Sequence, residues 1–211
     1  MASQAELARG QYRKRARRYD RIPGSGLRSR IGLRAVEKLQ LERGQTVIDI
    51  ACGTGGNFAA IERAIGSDGR LIAIDVSDDM LAQAAQRVSH EGWPNVTLIA
   101  APVADVEIPG RADAALFAFA HEPARDPRAV ANVLGSVRPG GVVAACGPKW
   151  VSRWIFPLNL FVWLLVRRYV TKVSGFREPW SLLAPYLPGL EIEKHMAGAF
   201  YVAAGRVAGD A

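Results

Sequence analysis

Five short apolar runs occupy the middle of this chain, and most are followed by a stretch in which apolar residues recur every three or four positions. The runs are "TVIDIA" (46–51), "RLIAIDV" (70–76), "VTLIAA" (96–101), "ADAALFAFA" (112–120) and "GVVAACG" (141–147). Nearly continuous apolar character over so few residues marks strands buried on both faces. Between them, "NFAAIERAIG", "DDMLAQAAQRVSHEG" and "DPRAVANVLGSVRPGG" predict amphipathic helices closed by Gly or Pro-Gly. Strand and helix in alternation predict an α/β fold with a doubly wound, mainly parallel sheet, because right-handed crossovers lay helices on both faces. Near the end, "LEIEKHM" and "AFYVAAGRV" alternate on either side of Gly198. They predict an antiparallel hairpin, which completes a seven-stranded, Rossmann-like sheet.

Composition narrows the picture. The 211 residues are 49% hydrophobic and 22% charged, which supplies a core and excludes disorder. The length suits one domain over 1–211, with no repeat or low-complexity linker to divide it. Residues 1–20 lack the apolar stretch of a secretory signal, so a cytoplasmic protein is expected. Cys52 and Cys146 are far apart, as are His90, His121 and His195. Neither a disulfide framework nor a metal site is expected.

The net charge of +7 is unevenly spread. Residues 1–40 hold eleven Lys/Arg against Glu6, Asp20 and Glu37, and residues 149–177 hold six Lys/Arg and no acid. Two basic segments therefore bracket an acidic middle, an asymmetry that suits an anionic partner or a solvated basic face. Nucleic acid is an unlikely partner: the basic stretches contain no recognisable RNA module, and the second is mostly apolar.

The chemistry concentrates after the first predicted strand, in "VIDIACGTGGNF" (47–58). Gly53, Gly55 and Gly56 remove side chains so that backbone can approach a ligand, and Asn57 opens a helix whose free N–H groups face the same spot. The carboxyl ends of strands are where open α/β sheets bind ligands. Asp75 closes the second strand, placed to accept hydrogen bonds from both hydroxyls of a ribose. The expected ligand is thus a nucleoside. The dinucleotide fingerprint wants Gly at its sixth position, where this chain has Phe58. Asp49, inside the first strand, suits a cation better than a pyrophosphate, which favours a sulfonium cofactor.

On these residues the chain resembles the class I S-adenosylmethionine-dependent methyltransferases, in which the turn after the first strand reads roughly D-x-x-C/G-G-x-G, as "DIACGTGGN" does here. The likeness runs over about residues 45–147, and it is similar in particular to the small-molecule, ubiquinone/menaquinone-type branch. The resemblance implies that Asp49 and Gly53 lie near the amino acid part of S-adenosylmethionine and that Ala51 and Gly55 line it through backbone. It also implies that Asp75 holds the ribose, with Val76 and Met80 flanking the adenine. Many relatives carry an acid after the third strand, where this chain has Pro102. Adenine recognition then falls to backbone near Val103 and Ala104, or to Asp105.

Methyl transfer needs the acceptor aligned and, for an amine or hydroxyl, a proton removed. His121, just beyond the fourth strand with Glu122 beside it, is the candidate base; the alternative is a loop or cofactor contact. The segment "YRKRARRYDRIPG" resembles the N-terminal helix of small-molecule methyltransferases, which implies that Tyr19 closes over the cofactor and that residues 1–40 form a basic helical cap. Trp154 to Val166 is almost wholly apolar, yet at ~1.5 Å per residue it falls short of the ~30 Å hydrocarbon core. Within an apolar and basic insertion at 149–188, it is expected to cap the substrate or to lie on a membrane surface. The expected function is methyl transfer to a small apolar or lipid-like acceptor, with a phospholipid-amine N-methyltransferase at an anionic membrane surface as the alternative. From other classes, an NAD-dependent oxidoreductase or a non-catalytic nucleoside-binding protein remains.

Overall fold

The computed structural model describes residues 25–151, 156–166 and 176–209. Helix α1 (Ser25–Lys38) leads into β1 (Thr46–Ile50), α2 (Phe58–Ile65), β2 (Arg70–Asp75), α3 (Asp78–Glu91) and β3 (Val96–Ala100). Then come β4 (Ala112–Ala118), α4 (Pro127–Ser136), β5 (Val137–Pro148), α5 (Phe156–Val166), β6 (Glu191–His195) and β7 (Phe200–Arg206). The seven strands form one sheet in the order β3-β2-β1-β4-β5-β7-β6. The pairs from β3 to β5 are parallel, while β5–β7 and β6–β7 are antiparallel. Five parallel strands and a terminal hairpin match the sequence pattern. The hairpin turns through Met196, Ala197 and Gly198, all at positive φ.

Alternation along the strands splits the core in two. Val47, Leu71, Ala73, Ala114 and Leu116 face one side with α1 and α2, and Ile48, Ile50, Ile72, Ile74 and Phe117 face the other with α4. By the same period of two, Asp49 points to the face of Val47. Phe58 at the start of α2 is fully buried, and truncating it would cost about 3–5 kcal/mol.

One boundary differs from the pattern. The run "DPRAVANVLGSVRPGG" predicts a helix closed by Pro139 and Gly140, but α4 stops at Ser136 and Val137 already pairs with Ala112 as strand. Pro139 disfavours helical backbone at Arg138, and β-branched Val137 favours the sheet, so β5 is twelve residues long.

Caps fix the elements that face the sheet's carboxyl edge. Ser77 Oγ accepts the Met80 N–H at the start of α3, and Gly92 ends that helix in the left-handed region. Asp126 caps α4 by accepting the Arg128 N–H, with Pro127 at its first position. Helix α1 lies across β4, β5 and β7. It is tied to β6 by Arg34 and Lys38, which both reach Glu193, and the two cations hold that carboxyl down at about 2.

Candidate active site

The turn after β1 is built by backbone geometry. Ala51, Gly53 and Gly55 have φ of 53°, 58° and 76°. Left-handed backbone costs a side-chain-bearing residue such as Ala51 energy that glycine avoids. The two glycines are bare for different reasons. A Cβ on Gly53 would meet no atom within 4 Å, whereas one on Gly55 would lie 2.6 Å from the Phe58 ring. Gly53 therefore leaves space open to a ligand, and Gly55 makes room for the core.

Asp75 locks the turn to β2. Its Oδ2 accepts the Gly53 N–H and its Oδ1 the Ser77 N–H, each at 2.8 Å. Burial raises its pKa, and the N–H groups of Ser77, Gly53 and Val76 oppose that shift. The carboxylate is thus oriented in advance, with acceptor capacity left for a ligand.

Asp49 has the opposite surroundings. It is wholly buried, neither oxygen has a hydrogen-bond partner, and desolvation followed by the nearby Asp75 charge pushes its pKa up to about 8. A buried carboxylate without a partner is costly unless protonated or neutralised by a cation.

A cavity of about 520 Å³ opens over this edge of the sheet. Ala51, Gly53, Asn57 and Asp75 line it. Val76 and Met80 follow at the start of α3, and Val103 and Ala104 come from the loop after β3. That loop is pinned by Asn132 of α4, whose Nδ2 donates to the carbonyls of Val103 and Val106 at 2.8 Å each. His121 lies on the same cavity. Among the sequence-predicted residues, Asp49 and Gly55 are not on its wall: Asp49 is buried within β1, and Gly55 packs against the Phe58 ring. Asp105 is not on it either, and its Oδ1 instead accepts a hydrogen bond from Arg128. Tyr19 lies outside the described residues, as do Tyr12 and Trp154.

The rest of the lining includes residues the sequence pattern passed over. Gly26, Arg28 and Ser29 of α1 reach it. Gly32 allows the close approach, since a Cβ there would lie 2.7 Å from Asn57 Oδ1. Phe119 sits at φ 57° directly after β4, with its N–H donating to the Cys146 carbonyl at 2.8 Å. A left-handed phenylalanine is strained by about 1–3 kcal/mol and persists only where its surroundings impose it. Its ring carries the Arg28 guanidinium 5.3 Å from its centroid, a cation–π arrangement. His121 stacks on Phe176, with centroids 4.9 Å apart and planes at 25°. Burial, with the charges of Arg125 and Arg28, pushes its pKa down to about 4. The imidazole is neutral at pH 7.

Among the described residues no group of His, Cys, Asp and Glu could hold a metal ion. The donor set fits S-adenosylmethionine: open space at Gly53, a preset carboxylate for a ribose, and an uncompensated acid within β1 for a cation.

With this geometry in place, comparisons define the class. Residues 47–141 match the family described as "Methyltransferase domain". A demethylmenaquinone methyltransferase of Geobacillus stearothermophilus is 27% identical over 109 residues, covering 51% of this chain and 47% of that protein. The N-methyltransferase NodS from Bradyrhizobium japonicum WM9 superposes with a TM-score of 0.64 at 18% identity, over 90% of this chain and 99% of that one. The structure titled "DhpI-SAM-HEP complex" gives a TM-score of 0.64 at 22% identity, over 98% of this chain and 100% of that one. The chain spans less than half the length of the first curated relatives it matches. The family match is to residues 47–141, and the solved methyltransferases share the fold of nearly the whole chain.

Proposed function

We propose that this chain transfers the methyl group of S-adenosylmethionine to a small apolar or lipid-like acceptor. The observation that carries the reading is that one cavity is lined both by the Gly53 turn and Asp75 and by Phe119 and His121. The demethylmenaquinone methyltransferase among the relatives supports an acceptor with an apolar body.

The cofactor supplies a methyl group on a positively charged sulfur, ready to leave as a neutral thioether. The chain's own residues position and shield. Asp75 accepts from the ribose hydroxyls while keeping the turn closed through Gly53 and Ser77. Asp49 offsets the positive charge from within β1, at a depth where solvent does not screen the interaction. Phe119, Ala118 and Ala120 offer the acceptor an apolar wall, which excludes water and holds the nucleophile in line. Neutral His121 accepts the proton of an acceptor hydroxyl or amine at its free ring nitrogen. Because burial and two arginines disfavour the imidazolium, the proton is released from it to water at the mouth of the cavity.

Calorimetry tests the reading. S-adenosylmethionine and its demethylated product should bind in the micromolar range, and tighter binding of NAD would overturn the assignment.

A further inference from the structure

Helix α5 presents a stripe of large apolar side chains to the outside. Leu160, Trp163 and Leu164 are 46%, 42% and 47% exposed, and their spacing of three and four places them on one face. Val162 is fully buried and seats the helix in the apolar cluster that contains Phe176. The helix has one strongly polar residue, Asn159, and it is spent internally: its Oδ1 accepts the Val151 N–H at 2.9 Å and its Nδ2 donates to the Val151 carbonyl at 3.3 Å. No strongly polar side chain of the helix remains to face water. The other exposed large apolar residues among those described, Leu33, Tyr186, Ile192 and Met196, are scattered over other elements, which is ordinary for a protein surface.

The occupant of such a face must satisfy two conditions together. It must accept a row of apolar side chains, and it must complement the charge of residues 149–177, which hold six Lys/Arg and no acid. An RNA or an acidic protein surface meets the second and wastes the first. A neutral apolar surface does the reverse. An anionic bilayer meets both, with hydrocarbon directly beneath a layer of negative headgroups. Eleven residues reach only ~16 Å against a ~30 Å hydrocarbon core, so the helix is too short to span. Tryptophan is also the residue that favours the membrane–water boundary.

We propose that α5 lies in the plane of an anionic membrane surface, with Leu160, Trp163 and Leu164 inserted among the acyl chains. The acid-free charge of the surrounding segment supplies the electrostatic attraction. Val162 and Phe176 belong to one core cluster, and Phe176 stacks on His121. This docking goes beyond the methyl-transfer reading and does not depend on it.

The test is sedimentation of the full chain with vesicles of phosphatidylcholine alone and with rising phosphatidylglycerol. The bound fraction should rise with the anionic lipid and fall as salt is raised. The triple variant Leu160→Ser/Trp163→Ser/Leu164→Ser should lose about tenfold or more in partitioning, with S-adenosylmethionine affinity unchanged. The single variant Leu160→Gln, at an exposed position, should shift partitioning the same way with little risk to folding. Indifference of the parent chain to anionic vesicles at low salt, or variants that sediment like the parent, would overturn the proposal. So would a triple variant that changes only the oligomeric state, since the stripe would then join copies of this chain. If vesicle binding behaves as expected while S-adenosylmethionine does not bind, the methyltransferase reading falls and the docking stands.

Discussion

Two parts of the cavity lining are built by different means. Around the Gly53 turn, the proposed cofactor end, backbone does most of the work: left-handed residues at 51, 53 and 55, one carboxylate holding backbone N–H groups, and helix starts at Phe58 and Asp78. Around His121, the proposed acceptor end, side chains from distant segments meet: Arg28 from α1, Phe119 and His121 after β4, and Phe176 stacked on the imidazole. The first arrangement fixes one ligand chemistry tightly. The second is open to change residue by residue, which is how one fold serves many acceptors.

The sharpest way to break this comparison is at His121. His121→Ala should lower kcat by about 100-fold or more while cofactor affinity hardly moves. Because the pKa is pushed down to about 4, the neutral ring is lost only near that pH. The acid limb assigned to His121 should therefore lie near pH 4 and not near 6.5. A loss confined to cofactor binding would move His121 to the cofactor end.

Asp75→Ala should act on the other side of the division. The charge-assisted hydrogen bonds proposed to the two ribose hydroxyls are worth roughly 1.5–3 kcal/mol each, so cofactor affinity should fall by about 100-fold or more in calorimetry. An unchanged dissociation constant would remove Asp75 from the ribose site.

Asp49→Asn should have a smaller, two-sided effect. The folded state holds a proton on Asp49 up to about pH 8, whereas the unfolded chain releases it near 4. Between those values the folded state binds the extra proton, so the stability contribution falls as pH rises. The amide should raise Tm at pH 8, with a vanishing difference at pH 4, and should weaken S-adenosylmethionine several-fold. A lower Tm at pH 8 would show that the carboxylate has a partner.

The mildest prediction separates strain from packing at Phe119. Phe119→Gly relieves left-handed backbone by about 1 kcal/mol and loses ring contacts of similar worth, so Tm should move little while turnover drops. A large fall in Tm would make the ring a core residue.

The legibility of the sequence follows the same division. Strand–helix alternation, the glycine turn and the acid ending β2 are local signals, and each lies within a few residues of what it specifies. The acceptor end is assembled by tertiary contact, and Arg28 carries no local mark that it will lie over Phe119. The positive φ of Phe119 cannot be read from a run that looks like continuing strand. Gly55 shows the limit inside the legible part: the pattern assigns it to the cofactor, while its near neighbour is the Phe58 ring. Asn132, pinning the loop after β3 from a helix far along the chain, had no signal beyond being a polar residue in an amphipathic helix.

Transfer of an isotopically labelled methyl group tests the central claim most directly. The chain, incubated with methyl-labelled S-adenosylmethionine and apolar small-molecule or lipid extracts, should move label into the organic phase, giving a product heavier than its precursor by one methylene. That transfer should vanish in Asp75→Ala. Label that stays on the cofactor with every extract, in a chain that binds NAD more tightly than S-adenosylmethionine, would contradict the account.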